Sequence, residues 1–163
     1  MYRQVLIILS FVFCINIFPQ DVNIDILFEN AKTLNTEGKY SEAAEAFILV
    51  QTEAYRINDI ENYIQSIIAQ GECYYQLGAT YEINELIERA IKTYKKHSRD
   101  LDRITGLKIK EAIFKLKGSY YSLLTDYDES AYEKAYDAFQ YCMTLLDTLK
   151  NESDVYNEEL EYM

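Results

Sequence analysis

Ile67 to Tyr74 reads I-I-A-Q-G-E-C-Y, and Phe114 to Tyr121 reads F-K-L-K-G-S-Y-Y. Each stretch has a large apolar residue, a glycine four positions on and a tyrosine three beyond that. Positions i, i+4 and i+7 share one face of an α-helix. Glycine inside a helix costs about 0.5–1 kcal/mol relative to alanine, so its return at the same place on an apolar face needs a packing reason. Close approach of a second helix supplies one, because a missing side chain lets backbones meet. The echo therefore predicts repeated helical hairpins, an architecture that makes a scaffold rather than a catalyst.

The composition agrees. The chain of 163 residues has one proline, Pro19, and five glycines among plentiful Glu, Lys, Ala, Leu and Ile, a balance that predicts an all-helical protein. Its length suits one domain or a short repeat array with a real core. The sixteen tyrosines fit helix–helix seams, where a ring is buried and its hydroxyl stays wet. A formal net charge of −11 argues against nucleic acid as the main partner, since phosphate binding needs a basic face. The charge is uneven. Residues 21–84 carry three bases and eleven acids, 85–117 ten bases and five acids, and 118–163 two bases and eleven acids. The central basic stretch is either a solvated helix surface or a stripe that docks an acidic partner or a neighbouring copy.

Residues 1–20 resemble a signal peptide or N-terminal anchor. Arg3 gives a charged start, and Val5 to Phe18 is an apolar run of the length of a signal-peptide core, short for a membrane span. Phe18-Pro19-Gln20 lacks the small-x-small cleavage pattern, which keeps a membrane tether through residues 1–20 open, and Phe13 stands where a lipobox before Cys14 needs a small residue. Export to the periplasm or cell envelope is the expectation.

The folded part, residues 21–150, reads as six helices in three pairs. Ile24, Leu27, Phe28, Ala31 and Leu34 form the first apolar stripe, closed by Gly38. Ser41 is the expected N-cap of the second, with Ala43, Ala44, Phe47, Ile48 and Val50 as its apolar stripe, and Asp59 of the third, which Gly78 ends. The fourth runs from Tyr81 to about His97, where Lys95, Lys96 and His97 suit the negative end of a helix dipole. The fifth spans Leu101 to Leu124. Ser130 and Glu133 form an expected capping box for the sixth, whose stripe is Ala135, Ala138, Phe139, Cys142, Leu145, Leu146 and Leu149. Residues 151–163 read as an acidic tail or the start of a further helix, and the pattern stops part-way, as in the front part of a longer protein.

Glycine and tyrosine recur at Gly71/Tyr74 and Gly118/Tyr121, and A-x3-F recurs at Ala43–Phe47 and Ala135–Phe139, each on the second helix of its pair. Together these resemble the tetratricopeptide repeat, whose first helix carries a large residue, L-G-x2-Y, and whose second carries A-x3-F. Hairpin one departs from the pattern with Leu27, Ala31 and Leu34, hairpin two with Ile83 and Ile87. The closing proline is missing, and the steps from Ala31 to Gly71 to Gly118 exceed the family's repeat. The resemblance implies a right-handed superhelical stack of about three antiparallel helix hairpins, a TPR-like α-solenoid.

No motif asks for a cofactor or a metal. His97 is the single histidine, there is no HExxH or Cys/His zinc spacing, and no glycine-rich phosphate loop occurs. Cys73 and Cys142 lie in different hairpins and read as buried free thiols. The chain thus reads as non-enzymatic. In the family, the first helices line a groove that takes a peptide or helix of a protein partner. By that resemblance, the residues beside the buried stripes face it: Lys32 and Asn35 in hairpin one, Glu72, Tyr75 and Gln76 in hairpin two, and Lys115, Ser119 and Ser122 in hairpin three. The expected role is an exported protein-interaction scaffold. The alternative is the extracytoplasmic sensor segment of a larger envelope signalling protein, with a kinase or DNA-binding output beyond residue 163.

Overall fold

Three turns at twenty-residue intervals set the geometry. Gly38, Asn58 and Gly78 adopt φ of 76°, 59° and 70°, the left-handed region in which glycine and asparagine are most at ease. Each sits in the same hydrogen-bonded stop. The next residue's N–H reaches back to a carbonyl five positions earlier, Lys39 to Leu34 at 2.9 Å, Asp59 to Ala54 at 2.8 Å and Ala79 to Tyr74 at 3.0 Å. These turns separate α1 (Ile24–Thr36), α2 (Tyr40–Ile57), α3 (Ile60–Leu77) and α4 (Thr80–His97). Beyond a longer connection lie α5 (Arg103–Leu124) and α6 (Glu129–Glu161). The computed structural model describes residues 23–161, and side chains through Glu152. The signal-segment reading, with Arg3, Cys14 and Pro19, lies outside the described residues.

The described part is all-α. Each helix packs on its neighbours in sequence, and α3, the first helix of the second pair, also packs on α5, the first of the third. Short turns between contacting helices make the pairs antiparallel. One core joins α1 and α2 to Cys73 of α3, around Phe28, Ala31, Ala44, Phe47 and Val50. The other, around Ile64, Ile67, Ile83, Ile87, Ile109 and Leu116, joins α3, α4 and α5. Gly71 makes the close approach expected of it. A Cβ there would stand 2.5 Å from Leu116 Cδ2, a side chain only 2% exposed.

Several boundaries differ from expectation. Lys39, not Ser41, occupies the N-cap of α2 and makes no side-chain capping bond. The Gly38 turn is held by backbone bonds, so the helix can start at Tyr40, one residue before the serine. Ser130 does not cap α6 either. The Asp128 carboxylate accepts from the Ser130 N–H at 2.9 Å and its hydroxyl at 2.7 Å, leaving Ser130 in the first turn. That pairing holds the Asp128 carboxyl below its usual range, the Ser130 hydroxyl first among the causes. Asp59 and Asp102 do cap, accepting from the N–H of Asn62 and Thr105, both at 3.0 Å. Asp102 also moves the start of α5 to Arg103. The helix α6 runs unbroken past Lys150 to Glu161, so residues 151–161 continue it rather than begin another. Asn151-Glu152-Ser153 holds no glycine or proline to stop it.

Candidate functional site

The helix α3 has two polar edges on opposite sides, and a cavity opens on each. On one side α1, α3 and α5 enclose about 460 Å³ lined by Asn35, Thr36, Tyr40, Glu72, Tyr75, Gln76, Lys115, Leu116 and Ser119. Six of the eight residues singled out in the sequence, Asn35, Glu72, Tyr75, Gln76, Lys115 and Ser119, therefore converge. Glu72 and Lys115 face each other across α3 and α5, Oε1 to Nζ 3.5 Å, both well hydrated. A hydrated pair of this kind contributes about 0–1 kcal/mol to stability, so its charges stay available to an incoming group. A shallower cavity of about 250 Å³ shares Glu72 and continues toward Phe28, Gln65, Lys108 and Ala112.

Lys32 and Ser122 stand outside this lining. Lys32 Nζ pairs with Glu29 at 2.8 Å and lies 5.1 Å over the Phe28 ring. The Ser122 hydroxyl donates to its own helix, to the Ser119 carbonyl at 2.7 Å. Helical back-bonding of this kind is a standard use of serine inside a helix. Thr36, Tyr40 and Leu116 line the cavity and were not anticipated. Tyr40 belongs to a second helix and reaches the cavity only because α2 begins at residue 40.

Cys73 ties the cavity to the core. Its Sγ–H points at Asn35 Oδ1, 3.7 Å away, and burial, with Glu72 adding to it, pushes the thiol up to about 11. Cys142 is likewise pushed up to about 11, by burial first and then by its hydrogen bond to Glu111 Oε1 at 3.0 Å. Both are free and buried, held in the unreactive protonated form at neutral pH. His97 Nδ1 lies 3.0 Å from Asp100 Oδ2 at the end of α4. Among the described residues no group of His, Cys, Asp and Glu could hold a metal ion. Nor is any described helix long and apolar enough to cross a membrane.

On the other side of α3, a cavity of about 610 Å³ lies against α2 and α4, lined among others by Ile48, Tyr74, Glu82, Glu85 and Glu88. Its floor is a polar network absent from the sequence reading. Gln51 Nε2 donates to Gln70 Oε1 at 2.9 Å and to the Ser66 carbonyl at 3.3 Å, and Arg89 donates to Gln51 Oε1 at 2.7 Å. Gln51 and Gln70 are buried, 6% and 5% exposed, yet their buried side-chain atoms are hydrogen-bonded, as burial of an amide requires. Two glutamines 19 residues apart, on separate helices, give no periodic signal by which to find them.

No family model, curated protein or solved structure matches the chain.

Proposed function

We infer that this chain is a non-enzymatic protein-interaction scaffold, a TPR-like stack of helical hairpins that receives a peptide or helix of a protein partner along α1, α3 and α5. The observation that carries the reading is the convergence of Asn35, Glu72, Tyr75, Gln76, Lys115 and Ser119 on one cavity. Backbone-seeking amides, one tyrosine ring and one pair of opposite charges suit an extended or helical peptide, which offers both polar groups and side chains. Tyr75 supplies a rigid amphipathic surface at low entropic cost. Burial of both thiols, together with the lone histidine at a helix end, favours binding over catalysis. The apolar run Val5–Phe18 supports export to the cell envelope.

Selection of peptides from a random library on the full chain tests the groove. Peptides recovered on the native protein are expected to lose roughly tenfold or more in affinity on Tyr75→Ala and on Glu72→Lys, with circular dichroism unchanged. Peptides that bind both variants as well as the native chain would place the binding surface elsewhere.

A further inference from the structure

Five large apolar side chains stand open along α6. Tyr132, Tyr136, Phe139, Met143 and Leu146 are 73%, 56%, 39%, 62% and 48% exposed. They follow one another at intervals of four, three, four and three residues, which at about 100° per residue gathers them into one stripe roughly 80° wide. Apart from Phe139, whose ring also lies over Gly118 of α5, the stripe is separate from the seam through which α6 packs on α5, formed by Ala131, Ala135, Ala138, Cys142 and Leu145. Single exposed apolar residues need no explanation, but a continuous row does. Among the described residues, α5 reaches this row at Phe139, and Tyr132, Tyr136, Met143 and Leu146 stay about half or more exposed.

The far edge of the stripe is acidic. The same rotation per residue places Glu129, Glu133 and Asp147 along it, all exposed. Lys150 stands at the end of the stripe, whereas Lys134 lies around the helix, paired with Asp128 at 3.4 Å. A 3–4 spaced row of apolar side chains receives the matching row of another helix, and a carboxylate edge selects lysine and arginine beside it. We propose that the open face of α6 docks an amphipathic helix of a partner protein whose apolar stripe is flanked by basic residues.

A second copy of the chain fits this face less well. The net charge of −11 holds copies apart. An antiparallel pairing centred on Phe139 would set Glu133 beside Asp147 of the second copy, a repulsion that the accompanying Lys150–Glu129 contacts only offset. The face shares no residue with the α1–α3–α5 cavity, so the inference stands apart from the function proposed above.

Two short synthetic helical peptides test it, identical in their leucine stripe and flanked in one by lysine and in the other by glutamate. Fluorescence anisotropy measures their binding to the full chain, and sedimentation velocity measures the state of the chain alone. The lysine peptide is expected to bind roughly tenfold or more tightly than the glutamate peptide, and less tightly as salt rises. Met143→Glu, on the stripe, and the pair Glu133→Lys with Asp147→Lys, on the edge, are each expected to weaken it roughly tenfold with helix content unchanged. Tyr136→Glu replaces Met143→Glu if the latter fails to fold. Equal binding of the two peptides, binding of neither, or binding indifferent to these variants overturns the proposal. So does a dimer that Met143→Glu dissociates, which would assign the face to a second copy.

Discussion

Phe47 and Phe139 hold the same place in the same motif, four residues after Ala43 and Ala135, and end in opposite surroundings. Phe47 is fully buried, its ring centroid 5.5 Å from that of Phe28 in an edge-on contact, with α1 and α3 both packed on its helix. Phe139 is 39% exposed on a helix that packs chiefly on α5. The two glycines of the echo divide in the same way. Gly71 lies under the buried Leu116 of the following hairpin, whereas Gly118 lies under Phe139 of its own hairpin, whose Cε1 would stand 2.6 Å from an added Cβ. A repeated motif specifies where a side chain points. What it contributes to stability depends on what the rest of the chain lays over it.

The largest test of this contrast is truncation of the two rings. Phe47→Ala is expected to cost about 3–5 kcal/mol by chemical denaturation, the usual loss for a buried phenylalanine. Phe139→Ala should cost about 1 kcal/mol, since much of that ring already contacts water. Equal losses would break the comparison. The glycines come next. Gly71→Ala is expected to cost about 1–3 kcal/mol, because the packed Leu116 side chain must shift to admit the methyl group, with a fall in Tm of about 2–4 °C per kcal/mol. At Gly118 the Phe139 ring can swing toward solvent, and alanine gains about 0.5–1 kcal/mol of helix propensity. Gly118→Ala should therefore leave Tm nearly unchanged or raise it slightly, and a large fall there would show that the Phe139 ring is held in place.

A smaller effect appears only at alkaline pH. The Cys73 thiol is raised from 9.0 to about 11, so its proton is bound more tightly in the folded than in the unfolded chain. Below about pH 9 the thiol is protonated in both states and its contribution is constant. As pH rises from 9 toward about 11 the unfolded chain ionises first, and stability falls. The difference between the native chain and Cys73→Ala should thus be flat to about pH 9 and then shift against the native chain. A flat difference throughout would show that the thiol is more hydrated than its burial implies. The smallest expected effect is at the hydrated Glu72–Lys115 pair, where Lys115→Met should change stability by less than about 1 kcal/mol. Peptide binding should be where that substitution is felt.

The helices were legible because breakers are few and apolar residues recur at helical spacing, and Gly71 was legible as a contact because glycine has no other reason to sit mid-helix. The groove residues converged as far as they flank a buried stripe: Glu72 and Gln76 sit beside Ile68 and Gly71 on α3, and Lys115 and Ser119 beside Leu116 on α5. Lys32 escaped because Glu29, one turn away on the same helix, takes its charge. Ser122 escaped because a helical serine can satisfy itself on its own backbone. The exposure of Phe139 was not legible, since a motif names a residue's face and not the presence of a neighbour to cover it. The twenty-residue recurrence of Gly38, Asn58 and Gly78 was on the page, but asparagine in place of one glycine disguised it.

The Gln51–Gln70–Arg89 network spans α2, α3 and α4, and so bridges the first two hairpins. Layers of leucine and isoleucine can slide by one helical turn and still bury similar areas, because dispersion has no direction. Amides can meet at one alignment only, since a one-turn slip strands donors away from water. The network is then a register lock, fixing which turn of α2 faces which turn of α3. Replacing Gln51 and Gln70 together by leucine should keep the helix content while multiplying the amide signals in an NMR spectrum. A single sharp set would mean that packing alone fixes the alignment.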